Sequence, residues 1–410
     1  MTPHERVLAA LNFLPTDRVP MDLGGMPSTC ISCFAYPGLV AALGLPPRPP
    51  RVHDFGQMLA LTDTDVLDAL GCDVVTIQTD ITNAYPQPDL WFDYDFNGRL
   101  AAQVQHPDWF QALGDGTIVL PRFERRMPPH SHVFEEEHGG QPIALYGDIP
   151  KPNLDKVKDE LEKNRLTEQA ARDLIPHFRR ARESTDRAIL FCGYGAGIGI
   201  GNFGGLAIFP MLCLAEPEFV RELHDVVISY SIQNARTLLD AVGPFIDVYQ
   251  CCSDDWGTQS QTIASPDVFR SLFKPYYQQF TAAIRSSAPN VKTFLHSCGA
   301  IYDILDDIID CGFDVLNPVQ WTAGGHSYAE WKDKCRNRIA LWGGGVNAQS
   351  TLPLGTPADV EREVARIVPC MRRGSGYVFN GIHNILAEVA SENVLAMYRT
   401  AALAGIRKTK

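Results

Sequence analysis

Positive charge is scarce in this chain. Its 36 Lys and Arg residues face 48 Asp and Glu, a formal net charge of −12 at pH 7 with histidine neutral. A nucleic-acid partner needs a basic face, so the balance argues against one. Cysteine is also sparse. There are 11 in 410 residues, an odd number, without the spacing of a disulfide framework. These thiols read as those of a reducing, cytoplasmic compartment: mostly small buried hydrophobes, with a few available for metal. The start of the chain has no apolar signal-peptide core. Residues 1–11 carry His4, Glu5 and Arg6 and read as a short amphipathic helix. Only residues 188–215, between Arg187 and Glu216, form a charge-free run long enough to suggest a membrane span. That run holds seven glycines, which are costly in any helix. It reads instead as a buried strand, a Gly-rich loop and a helix, so no membrane partner is expected. Internal repeats and low-complexity tracts are absent.

Apolar residues are plentiful, at 45%, enough for a large core. From about residue 70, short apolar β-type runs alternate with helical patterns. The runs are 72–77, 188–192, 245–249, 291–295, 313–316, 339–342 and 376–379. Helical patterns cover 217–241, 266–287, 301–311 and 356–372, the last opening with Thr356-Pro357. Strands separated by such helices predict βαβ units and a parallel sheet. Seven of them favour one closed α/β fold, a single (β/α)8 TIM barrel spanning 1–410. The eighth strand must then lie in the irregular first half, beside an N-terminal extension. Residues 93–184 read as an insertion. Within it, Asn97-Gly98 and Asp115-Gly116 are turn signals, and 151–163 patterns as an exposed helix.

The polar residues fall at strand ends, where a barrel builds its active site. Asp254, Asp255 and Gln259 follow one run, and His296 and Cys298 the next. Asn317 ends a third run, and His383 and Asn384 follow the last. His296-x-Cys298 is the sharpest motif, because two borderline-soft donors two apart at a strand end can face one site. The bland alternative is a buried thiol beside a backbone-bonded histidine. A zinc site with an open position needs a third donor. His383 is the choice, with Cys370 and Asp255 behind it. Asp254 and Asp255 suit acid–base work, since neighbouring carboxylates push their pKa values apart; either could equally cap a turn. Asp80, Gln259, Asn317 and Asn384 are candidate substrate contacts.

Three weaker signals complete the reading. Gly199-x-Gly201-x-x-Gly204 does not follow its strand directly, as a dinucleotide fingerprint must. It reads as a loop allowing a flat ligand close to backbone. Cys30-x-x-Cys33 has no second pair and no thioredoxin context. His130, His132 and His138 read as solvated.

These motifs resemble the uroporphyrinogen decarboxylase superfamily, and within it the cobalamin-dependent methyltransferase branch. The resemblance rests on Thr2-Pro-His-Glu-Arg-Val-Leu, Asp17-Arg-Val-Pro-Met-Asp22, Asp255-Trp-Gly-Thr-Gln259, Phe294-Leu-His-Ser-Cys-Gly299, Asp314-Val-Leu-Asn-Pro-Val-Gln320 and Trp342-Gly-Gly-Gly345. Residues 376–394 fit both branches. The resemblance implies a (β/α)8 barrel and a zinc ion on His296 and Cys298. It also implies methyl transfer between a small methylated substrate or a thiol and the cobalt of a corrinoid. No D-x-H-x-x-G cobalt-ligand motif occurs in the chain, so the corrinoid is expected on a separate partner protein, with a homodimer as an open arrangement. His383 stands where the branch carries a second cysteine. A neutral third donor would make the metal more electropositive and favour demethylation of an ether or amine. Decarboxylation of a tetrapyrrole is the alternative. Asp80 falls near the decarboxylases' catalytic aspartate, but residues 21–27 lack their substrate-pairing arginines. A non-catalytic corrinoid-binding barrel is the third reading.

Overall fold

The computed structural model describes residues 1–136 and 149–406. The N-terminal helix α1 (Pro3–Leu11) starts on a capping box between Thr2 and Glu5. Seven parallel strands then form one sheet: β1 (Val74–Ile77), β2 (Ala188–Cys192), β3 (Val248–Ser253), β4 (Lys292–His296), β5 (Val315–Asn317), β6 (Ala340–Trp342) and β7 (Tyr377–Val378). Their order in the sheet is their order in the chain, as successive right-handed βαβ crossovers produce in a barrel. All seven overlap the apolar runs of the sequence. One run is displaced. Gly243–Phe245 forms a 3-10 turn, so β3 starts at Val248.

The eighth strand is minimal. Met21 makes a parallel bridge to Phe379. Around it, Asp22 N donates to Phe379 O at 2.9 Å and Phe379 N to Pro20 O at 2.8 Å. On the opposite side Asp73 N donates to Met21 O at 2.7 Å, and Met21 N donates to Asp73 Oδ2 at 2.8 Å. Residues 20–22 therefore join both edges of the sheet and close the ring.

Period-2 alternation sorts the strand side chains. Val74, Leu190, Val248, Phe294, Val315, Ala340, Trp342 and Val378 pack inside the barrel together with Val7 and Leu11 of α1. Helix α1 thus plugs the N-terminal end of the barrel. Alternate residues such as Val75, Ile189, Phe191, Leu316 and Leu341 face the surrounding helices in a larger outer core.

Between β1 and β2 the chain builds an antiparallel hairpin, Phe92–Asp95 with Ala101–Val104, and a separate four-stranded sheet. Helices α2 (Leu154–Lys163) and α3 (Glu168–Ser184) lead back to β2. The charge-free run resolves into β2, a Gly-rich loop and α4 (Gly205–Ala215). No helix among the described residues is long and apolar enough to cross a membrane. Helix α5 (Pro217–Val242) follows. The helix read at 266–287 is interrupted. Phe269–Phe273 widens into a π turn before α6 (Lys274–Ser287), because Pro275 offers no N–H for the regular bond. Helix α7 (Pro357–Met371) has the expected Thr356 cap.

Candidate metal centre

Register brings the site together. In β3 one extra residue between Gln250 and Cys252 shifts the pairing, so that Ser253 lies beside His296. His296 in turn lies beside Asn317. Such a bulge re-aims the residues that follow it. Asp255 Oδ1 accepts from Cys298 N at 2.9 Å and stands 3.5 Å from His296 Nε2. Among the described residues one group could hold a metal ion. Asp255, His296 and Cys298 each offer a donor atom, all within 4.8 Å of one another.

The electrostatics suit a cation. Burial pushes the His296 imidazole below its ordinary value, against the Asp255 charge that would raise it, so the ring is neutral near pH 7. Burial pushes the Cys298 thiol up to about 12, with Asp255 adding to the shift. Burial would also raise Asp255, but His296 and the Cys298 N–H outweigh it and hold its carboxyl below the ordinary carboxylate range. A carboxylate, an imidazole and a thiol therefore converge without a positive charge among them. The N, S and O donors match zinc chemistry, and three protein donors leave one position for a substrate.

His383, the third donor expected from the sequence, lies beside this group, with its ring centroid 5.6 Å from that of His296. Its Nδ1 is 2.6 Å from Asn384 Oδ1, and Asn384 Nδ2 donates to Gln57 Oε1 at 3.1 Å. Asn384 thus orients an imidazole. Cys370 is not at the mouth. It sits on the outer helix α7, where Arg373 donates to its sulfur.

Asn317, expected to touch substrate, is fully buried with both amide atoms engaged. Its Nδ2 donates to Trp342 O at 3.0 Å. Its Oδ1 accepts from Ser28 Oγ at 2.8 Å and lies 2.6 Å from His296 Nδ1. Gln259 is exposed and ties loops together through Thr322 O and Gln349. Asp80 is an exposed rim residue held by Gln105.

The two aspartates separate as expected of neighbours. Asp254 is buried, and burial raises it to about 6, against the hydrogen bond from Tyr277 Oη and with the Asp255 charge adding. That bond is 2.7 Å long. Within the glycine run, Gly199 lets this carboxylate approach, since a Cβ there would overlap Asp254 Oδ1. Cys30 and Cys33 are buried free thiols, and Cys30 Sγ lies 3.3 Å from His53 Nε2. His132 pairs with Glu388 at 3.1 Å, and His138 lies outside the described residues. Ser28 and Tyr277 carried no signal in the sequence, because each acts through a contact with a distant element.

Residues 204–402 match the uroporphyrinogen decarboxylase (URO-D) family model. The matched stretch lies in the second half of the chain and contains every donor of the candidate centre. The uroporphyrinogen decarboxylase of Chlorobaculum tepidum is 26% identical over 180 residues, 43% of this chain and 46% of that protein. The methylcobamide:CoM methyltransferase MtaA of Methanosarcina barkeri is 40% identical over 140 residues, 33% of this chain and 38% of that protein. The chain thus spans about half, or less, of the length of these two curated relatives. A methyltransferase from Methanosarcina mazei matches in fold, with a TM-score of 0.54 at 20% identity over 98% of both chains. That match supports the same barrel fold for the whole chain.

Proposed function

We propose that the protein is a methyltransferase that passes a methyl group between a small substrate and the cobalt of a corrinoid on a separate partner protein. Asp255, His296 and Cys298 would hold zinc at the barrel mouth. The observation that carries this reading is the convergence of those three donors at the ends of β3 and β4. The 40% identical stretch of a methylcobamide:CoM methyltransferase supports it.

Bound zinc would supply Lewis acidity, keeping a substrate thiol as thiolate at neutral pH or polarising the heteroatom of a methylated substrate. The residues of the chain set which. With Asp255 as third donor, two of the three protein donors are anionic when Cys298 is ionised. An electron-rich donor set favours a nucleophilic thiolate, so thiol methylation replaces ether or amine demethylation as the preferred direction. Asp254, raised to about 6 beside the ionised Asp255, takes up and releases its proton just below neutrality and can pass it to or from the mouth. Asn384 keeps the His383 ring facing the same space.

Decarboxylation is the second reading, favoured by the matches to uroporphyrinogen decarboxylases. Methylcobalamin and a small thiol, incubated with the protein, test the choice. Thioether formation that stops on chelation supports methyl transfer. Coproporphyrinogen formed from uroporphyrinogen, without thiol methylation, would replace it with decarboxylation.

A further inference from the structure

We infer that Asn317 is a positioning residue that locks His296 in the tautomer with its proton on Nδ1, leaving Nε2 as the donor atom of the metal centre. The inference rests on the metal reading for its purpose, but not for its geometry. The orientation of the Asn317 amide is not free. Its Nδ2 donates to Trp342 O at 3.0 Å, and a carbonyl accepts only from the NH2 end. Oδ1 must therefore face Ser28 and His296. Oδ1 is an acceptor, so the 2.6 Å contact with His296 Nδ1 requires a proton on that nitrogen. Ser28 Oγ donates to the same oxygen at 2.8 Å and fills its second lone-pair direction.

All three residues are buried. Ser28 is 4% exposed, His296 3% and Asn317 0%. No bulk water can stand in for a missing partner at Nδ1, so the short bond to Asn317 Oδ1 outweighs the longer 3.5 Å approach of Asp255 to Nε2 in setting the tautomer. With Nδ1 committed, the Nε2 lone pair points toward Asp255, 3.5 Å from its Oδ1. In a metal-free protein that contact sets a lone pair against a carboxylate, an arrangement that a cation between them relieves. A hydrogen bond on the far nitrogen of a histidine ligand fixes its tautomer and raises its basicity. Here the partner is an amide rather than the more usual carboxylate or carbonyl. It is anchored across the barrel by Ser28, a residue of a 3-10 turn 289 positions away.

Long-range 1H–15N correlation spectra of the metal-free, 15N-histidine-labelled full chain test this directly. His296 is assigned by its loss in His296→Gln. The wild type should show the Nδ1–H pattern for His296. Asn317→Leu, similar in shape but without an acceptor, should shift the ring toward Nε2–H and weaken zinc binding about 10–100-fold. Asn317→Asp keeps an acceptor on Nδ1 and should keep the tautomer; it serves if the leucine variant does not fold. An Nε2–H ring in the wild type overturns the inference. So does an Asn317→Leu ring that stays Nδ1–H, or loss of the Nδ1–H tautomer in Asn317→Asp. If wild-type protein binds no zinc, the metal reading fails by itself, and the tautomer still decides the role of Asn317.

Discussion

At the scale of single residues, chemistry follows burial. Cys298 keeps its proton up to about pH 12 in the metal-free site, yet a metal ligand must be thiolate. Zinc binding should therefore release about one proton, and affinity should rise about tenfold per pH unit below the thiol pKa. Proton release into a weakly buffered indicator solution measures this, and binding without release would contradict it. Asp22 gives a second test. It lies inside the barrel, accepts from Trp342 Nε1 at 2.9 Å and is raised by burial to about 6. A folded-state pKa above the unfolded value contributes stability at low pH, and that contribution disappears as pH rises through 6. Between about pH 5 and about pH 7.5 the wild type should lose roughly 1–2 kcal/mol more than Asp22→Asn. Equal slopes in urea titrations at the two pH values would rule this out.

At the scale of elements, the weakest-looking strand closes the fold. Residues 20–22 depend on Asp73, which binds Met21 N, Arg18 at 2.7 Å and Arg6 at 2.5 Å. Asp73 is 0% exposed and Arg6 6%. Asp73→Ala would leave a buried guanidinium short of its partner and release the closing strand, at a cost of about 3–5 kcal/mol. Denaturant midpoints measure it, and a loss under about 1 kcal/mol would show that 20–22 does not hold the barrel shut. The seven sheet strands were legible because each overlaps an apolar run of four to six residues set between helical patterns. The closing strand was not, because residues 20–22, Pro-Met-Asp, form no such run. The loop after β2 makes a similar point. Its glycine pattern was legible as a close approach, but the partner, Asp254, comes from another strand end. Gly199→Ala should displace that carboxylate and slow the proton-dependent step at least tenfold while leaving bound zinc unchanged. Unchanged turnover would free Asp254 of any role.

At the scale of the whole molecule, the barrel separates stability from chemistry. Its interior and outer cores are closed without help from the mouth, so the mouth can hold an uncompensated cluster of anionic and lone-pair donors. The H-x-C pair and the neighbouring aspartates could be read from strand ends alone, since a barrel gathers them on one face. The choice between His383 and Asp255 as third donor could not. It depends on the β3 bulge and on side-chain distances of a few ångströms, which spacing in the chain does not encode. Both residues reach the same space; the donor-atom distances favour Asp255, and the proposed centre takes it as its third donor.

Zinc content of five purified proteins tests that claim most directly: the wild type, Asp255→Ala, His296→Ala, Cys298→Ala and His383→Ala. The wild type should carry about one zinc per chain, as expected for one three-donor site. Asp255→Ala, His296→Ala and Cys298→Ala should lose most of it, and His383→Ala should keep it. Equal metal in all five, or loss in His383→Ala with retention in Asp255→Ala, would contradict the account.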